Sequence, residues 1–173
     1  MLYNKETGFT LFELLVSIAI MVIIVTIALP HFNNLMAQQE ANNIKLTIQN
    51  HNAFARAQAT IYHSNIVICP SLNFKLCQPN NWNSGLIIFI DSNKNRQVDA
   101  NEKILLQDKL NLKYGDLSWR GTLHIPSLTF QASSGLPNGS NGSFYYCSKS
   151  TLQPIRAVLS RMGHIRFENP TSC

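Results

Sequence analysis

Between Phe9 and Leu29 the chain runs through 21 residues of which 17 are apolar, interrupted only by Thr10, Glu13, Ser17 and Thr26. As a helix this run rises about 30 Å, the thickness of the hydrocarbon core of a bilayer. It is long enough to cross a membrane once. It is also longer than the apolar core of a cleaved secretory signal, which spans roughly 7–15 residues. Thr26-Ile27-Ala28 does offer a weak small-x-small cleavage site, so a secretory signal remains an alternative. Either way a simple cytosolic enzyme is a poor description. Residues 31–173 are left for a soluble part, enough for one domain with a real core.

Glu13 is the informative exception within the run. A carboxylate inside a membrane-length helix is costly and usually functional, with a partner to be named. It lies four residues after Phe9. A cut between Gly8 and Phe9 would create a new amine near that carboxylate. In an assembly of parallel helices, Glu13 of one copy would pair with the Phe9 amine of a neighbour, which removes most of the cost of a lone buried charge and enforces axial register.

The segment Gly8-Phe9-Thr10-Leu11-Phe12-Glu13-Leu14-Leu15-Val16 resembles the processing site of type IV prepilins and pseudopilins. That family has a short leader ending in Gly, an N-methylated Phe, Glu at the fifth mature position and a hydrophobic helix after it. The resemblance implies a prepilin peptidase that cuts after Gly8 and methylates Phe9. The leader departs in one respect, because Lys5 is offset by Glu6 where a basic run is usual.

Pro30 closes the apolar run, and a proline there is expected to kink or loosen the helix. From His31 to about His63 the composition turns to Asn, Gln and Ala, with Ile44, Ile48, Ala55, Ala59 and Tyr62 near one helical face. A long helix is expected, its second half lying amphipathically on a sheet. After Ser64 the period becomes that of strands. Short branched or aromatic runs at 65–69, 85–90, 103–107, 122–125, 128–132, 143–147, 155–160 and 164–167 are separated by Pro, Gly, Asn or Ser. Eight such runs predict antiparallel sheet, with 133–143 a flexible Ser/Gly/Asn connection. The expected fold class is α+β, type IV pilin-like. Its divisions are a leader at 1–8, a transmembrane and assembly helix at 9–29, a helical continuation at 30–64 and a β-rich head at 65–173.

The head extends the resemblance to GspH/FimT-type minor pilins through Cys69-Pro70, Cys77, Trp82, and Gly85–Asp91 followed by Asn93, Asn95, Asp99 and Glu102. Tyr146-Cys147 and the stretch Leu159–Arg166 belong to the same pattern. What the family implies is a single-pass inner-membrane protein with its head in the periplasm, assembling with other pilin subunits into a fibre that reaches the cell surface. An oxidising periplasm favours disulfides over free thiols. Four cysteines permit three pairings, and the sequence alone does not choose among them. Proximity favours Cys69 with Cys77 and Cys147 with Cys173, closures of about 2.5 and about 3.5 kcal/mol in the loop-entropy picture.

Asp91, Asn93, Asn95, Asp99 and Glu102 stand at positions 1, 3, 5, 9 and 12 of a calcium-loop pattern. Position 6 is Arg96 where the sharp turn wants Gly, Lys94 adds a second positive charge, and the flanks read as strands. A polar hairpin loop is the preferred reading, and no metal or cofactor is expected. Enzyme signatures are missing as well: there is no G-x-S-x-G, P-loop or dinucleotide fingerprint, and the five histidines are scattered.

Net charge is +5, with 14 Lys and Arg against 9 Asp and Glu. From Lys109 onward there are seven basic residues and only Asp116 and Glu168 as acids. Such a balance suits an anionic partner, although solubility alone would also explain it. Lys149, Arg156, Arg161, His164 and Arg166 gather late in the chain, and Arg is suited to phosphate because its planar fork makes paired charge-assisted bonds. Some FimT-type relatives bind double-stranded DNA for natural transformation through a C-terminal Gly-Arg-x-Arg motif. The matching positions here are Gly163, His164, Ile165 and Arg166, so an imidazole stands where the family has its first guanidinium. The resemblance thus leaves two roles open: DNA capture, or a structural tip or priming subunit of a pilus or type II secretion pseudopilus with no ligand.

Overall fold

The computed structural model describes residues 9–137 and 139–173, with the backbone alone at 28–30. Gly8 and the rest of the leader lie outside the described residues. The chain divides into two compact units, 1–36 and 37–173.

One helix, α1 (Leu11–Tyr62), runs through both units. Thr10 caps its start, accepting the Glu13 N–H on its hydroxyl at 3.3 Å. Every described side chain from Phe9 to Ile27 is exposed. The hydroxyls of Ser17 and Thr26 turn back onto carbonyls of the preceding turn, at 2.7 and 3.0 Å, so the polar interruptions present no free donor. By length and composition this part of α1 could cross a membrane. The helix continues through Pro30, and it ends where His63 takes a left-handed φ of 48°.

Within residues 37–173, α1 buries a stripe of Ala37, Ala41, Ile44, Ala55 and Ala59, with Ile48 packed beside it. The i, i+3, i+4 spacing keeps these on one face, and the small alanines let strands approach closely. Tyr62 does not join them. It is 41 % exposed in the last turn, a correction to the expected stripe, because the chain there is already turning away into the first strand.

Eight strands form two antiparallel four-stranded sheets. The first has the order β3 (Ile104–Lys109), β2 (Gly85–Asp91), β1 (Asn65–Pro70), β5 (Leu128–Phe130). The second has the order β4 (Gly115–Gly121), β6 (Gly142–Ser148), β7 (Ile155–Leu159), β8 (Ile165–Glu168). Both contribute one face to the main core around α1, with Ile66, Ile68, Ile88 and Phe130 from the first and Phe144, Tyr146, Ala157 and Leu159 from the second. The other face of the first sheet forms a second core of Val67, Cys69, Ile87 and Phe89. Phe74, Cys77, Val98 and Ile104 cover it. Burial on both faces explains why β1 and β2 read as continuous apolar runs.

The structure corrects two strand assignments. The 122–125 run is a 3-10 turn over Thr122–His124 in which Leu123 has φ 58° and ψ 24°, so the chain reverses there instead of extending. The strand that the sequence reading missed is β4, whose Gly115, Leu117 and Trp119 point inward and Asp116, Ser118 and Arg120 outward. Its two glycines and two charges hid a plain alternation. Both glycines are tolerated because aromatic rings occupy the space a Cβ would need, Tyr146 at Gly115 and Trp119 at Gly121.

Polar links tie α1 to each sheet. The Glu40 carboxylate accepts the backbone N–H groups of Lys113 and Tyr114, at 2.8 and 3.0 Å, and the Tyr146 hydroxyl at 2.8 Å. Burial, reinforced by that acceptor, pushes the Tyr146 phenol well above its ordinary range. On the other side the His51 ring bonds Asp108 of β3 at 2.7 Å.

Candidate functional site

The late basic residues are distributed by the second sheet. Register pairs Tyr145 with Arg156 and Arg156 with Glu168, and sets Arg120 beside Ser143 and Val158 beside Arg166. With a side-chain period of two, Arg120, Tyr145, Arg156, Arg166 and Glu168 therefore share the face turned away from α1. Arg156 and Arg166 are brought together, but onto one carboxylate. Arg156 lies 3.3 Å from Glu168 Oε2, and Arg166 donates to Glu168 Oε1 at 2.6 and 2.8 Å. One negative charge thus serves two guanidiniums. The Arg166 side chain is still 74 % exposed, so its remaining N–H groups face solvent.

Arg161 and His164 sit in the tight turn between β7 and β8. The turn is closed by Ser160 N–H to His164 O and Gly163 N–H to Ser160 O, both 3.0 Å, and by His164 N–H to the Ser160 hydroxyl at 3.1 Å. Gly163 has φ 76°, which a side chain would resist, so this position needs glycine. Both Arg161 and His164 are exposed, and neither side chain has a partner among the described residues.

Lys149 does not belong to this group. It follows β6 at its far end, where it lies 3.5 Å from Asp116, while the β7–β8 turn stands by the start of β6. Six residue steps of strand separate the two ends by about 20 Å. The expected gathering of five basic residues is therefore corrected to four, because β7 carries the chain along the sheet from the Lys149 end to the β7–β8 turn.

Two participants, Arg120 and Tyr145, escaped the sequence reading. Arg120 of β4 places its guanidinium 4.3 Å from the Tyr145 ring centre, and Arg156 lies 5.6 Å from the same centre. Tyr145 thus holds two cations in place. The alternation of β4 was the signal that could have put Arg120 on this face. The Cys147–Cys173 disulfide draws the chain end alongside it, and Arg120 Nη2 donates to the Cys173 oxygen at 3.4 Å. The second disulfide, Cys69–Cys77, closes the loop that covers the first sheet.

The calcium-like stretch forms the β2–β3 connection and turns its carboxylates inward onto its own backbone. Asp91 accepts the N–H groups of Asn95 and Arg96 at 3.1 and 3.2 Å, and Glu102 those of Ser92 and Asp99 at 2.8 and 3.3 Å. Asp99 accepts the side-chain amides of Asn93 and Asn95 at 2.6 and 2.8 Å. Burial, partly offset by those N–H groups, raises the Asp91 carboxyl above its ordinary value. Among the described residues no three His, Cys, Asp or Glu side chains are grouped to hold a metal.

Residues 47–163 match the family model described as type II transport protein GspH, and residues 3–29 match the prokaryotic N-terminal methylation motif. No curated protein matches the chain. Among solved structures, the Pseudomonas aeruginosa type IV minor pilin FimU is similar at 22 % identity and a TM-score of 0.56, over 80 % of this chain and 95 % of that one. The minor pseudopilin EpsH of the Vibrio cholerae type 2 secretion system is similar at 13 % identity and a TM-score of 0.51, over 76 % of this chain and 98 % of that one. At these identities the likeness is one of fold, an N-terminal helix with a β-rich head. The family model spans well over half the chain, and on that ground the chain belongs to the GspH family, and it carries the prokaryotic N-terminal methylation motif.

Proposed function

We propose that this chain is a minor subunit of a type IV pilus whose head contacts the phosphates of double-stranded DNA during uptake. A prepilin peptidase would cut after Gly8 and methylate Phe9, leaving the subunit in the inner membrane with its head in the periplasm until it enters the fibre. The Glu13 carboxylate has no partner among the described residues, which supports its pairing with the Phe9 amine of a neighbouring subunit. Gly8→Val should leave uncut precursor, and Glu13→Ala should be processed but assemble poorly.

The observation that carries the DNA reading is the exposed, unpartnered pair Arg161 and His164 in the β7–β8 turn, with Arg166 on the adjoining strand. Contacts of this kind are directed to the backbone and are not sequence-specific. Binding of a labelled duplex by the purified chain across a salt series tests it. Two to three phosphate contacts predict a log–log slope of about −2 to −3. Replacing the imidazole by a permanent cation, His164→Arg, should strengthen binding. No binding at low salt by either protein would end this reading.

The competing role is a structural subunit of a pilus or type II secretion pseudopilus with no ligand. It is favoured by the Glu168 carboxylate shared between Arg156 and Arg166 and by the Lys149–Asp116 pair, which leave the second sheet less cationic than its sequence. A deletion that impairs protein secretion and leaves transformation intact would favour that role.

A further inference from the structure

The helix carries a cation that the late-chain pattern does not include. Arg56 projects from α1 between two loops distant in sequence, and each loop presents a left-handed glycine to it. At Gly135, with φ 63°, a Cβ would lie 3.0 Å from the Arg56 carbonyl oxygen and 3.4 Å from its Cγ. At Gly163, with φ 76°, a Cβ would lie 3.3 Å from Arg56 Nη1 and 3.6 Å from its Cδ. The aliphatic stem is thus laid along one glycine and the guanidinium delivered to the other. One turn earlier on the same helix face, Asn52 Nδ2 donates to the Gly163 carbonyl at 3.0 Å and fixes the turn against α1. The Arg56 guanidinium has no acceptor among the described residues, and the residue as a whole is half-buried.

We propose that Arg56 is a phosphate-binding residue of the head, forming one anion site with Arg161 and His164 of the β7–β8 turn. The inference rests on the DNA reading and deepens it, because it extends the contact from the β7–β8 turn to the helix packed against that turn. The chemistry favours a phosphodiester. A guanidinium whose stem is already held by packing loses little freedom when it forms a forked bond to phosphate oxygens. Arg161 and His164 flank Gly163 at two residues and one, so the Arg56 guanidinium lies beside the short turn that carries them. An anionic lipid surface would ask for more apolar area than the single exposed Met162 at this turn provides.

The test uses the full chain in non-ionic detergent, a short labelled DNA duplex and salt from about 50 to about 200 mM. Arg56→Gln should weaken binding about tenfold at the low-salt end and flatten the log–log slope by about 0.9, the share of one phosphate contact. Arg56→Lys should keep most of the slope. Thermal melting checks that each variant is folded. A second measurement needs no variant: DNA should protect Arg56 of the native chain from phenylglyoxal, with modification read by peptide mass. If the native chain binds DNA and Arg56→Gln binds with the same affinity and slope, the inference is overturned while the turn-based reading stands. If the native chain binds no DNA, that reading fails and the inference with it. Protection of Arg56 by vesicles of phosphatidylglycerol but not by DNA would also overturn the inference, in favour of a lipid surface.

Discussion

The two sheets solve the same problem on their inner faces and opposite problems on their outer ones. Each buries a row of apolar side chains against the stripe of α1. The outer face of the first sheet is then covered again, by the disulfide-closed loop bearing Phe74 and Cys77 and by the β2–β3 loop bearing Val98. The outer face of the second is left open, with Arg120, Tyr145, Arg156, Arg166 and Glu168 in solvent reach. A twice-covered sheet is an investment in stability, whereas an uncovered charged sheet keeps a surface available for contact. The second sheet is held instead from inside, by the Glu40 carboxylate and its three donors.

The sharpest way to break this contrast is a truncation on each outer face. Phe89→Ala removes a fully buried ring from the covered core and should cost about 3–5 kcal/mol, read by denaturant or thermal unfolding of the disulfide-intact chain. Tyr145→Ala on the open face should cost about 1 kcal/mol, since it releases two cation–π contacts and little buried area. Equal losses would mean that both outer faces serve stability.

Glu40→Ala comes next in size. It strands the Lys113 and Tyr114 N–H groups and the Tyr146 hydroxyl, which should cost about 2–3 kcal/mol in the same assay. A loss below about 0.5 kcal/mol would show that the second sheet does not depend on this clamp.

Glu168→Gln probes the open face for function. It frees Arg156 and Arg166 from their shared carboxylate, so DNA affinity should rise about tenfold at low salt while stability falls by less than about 1 kcal/mol. Unchanged affinity would indicate that the phosphates do not approach this face.

The smallest effect concerns the alkaline limb. Because the folded state holds the Tyr146 proton above the ordinary value of 10.0, stability attributable to it is complete below that pH and declines as pH rises beyond it. The unfolded chain gives up a proton that the folded chain keeps. Tyr146→Phe should therefore flatten the loss of stability from about pH 10 upward, measured by unfolding at stepped pH, and an unaltered limb would place the responsible group elsewhere.

Periodicity made most of this architecture legible. The membrane-length run, the alanine stripe and seven of the strand positions all follow from local spacing that one face of an element must satisfy. Strand β4 was legible in the same way and was obscured by Gly115, Gly121 and two charges, although Leu117 and Trp119 keep the period. The turn at Thr122–His124 was not, because two successive non-glycine residues in left-handed geometry have no local signature.

The candidate site divides along the same line. Sequence alone determined that the chain has a membrane-length helix with a processing motif at its start, a β-rich head, and an excess of cations late in the chain. Those are properties of neighbouring residues, written in composition and period. Only the tertiary structure decided which cations meet which anions. Lys149 and Arg161 are twelve positions apart but lie toward opposite ends of the second sheet, whereas Asn52 and Gly163 are more than a hundred positions apart and share a hydrogen bond. Glu168 neutralises Arg156 only because β7 and β8 pair in one register, and a slip by a single residue would turn their side chains to opposite faces. A direct ion pair needs its partners within about 4 Å, so it is set by sheet order and register, which no local pattern encodes.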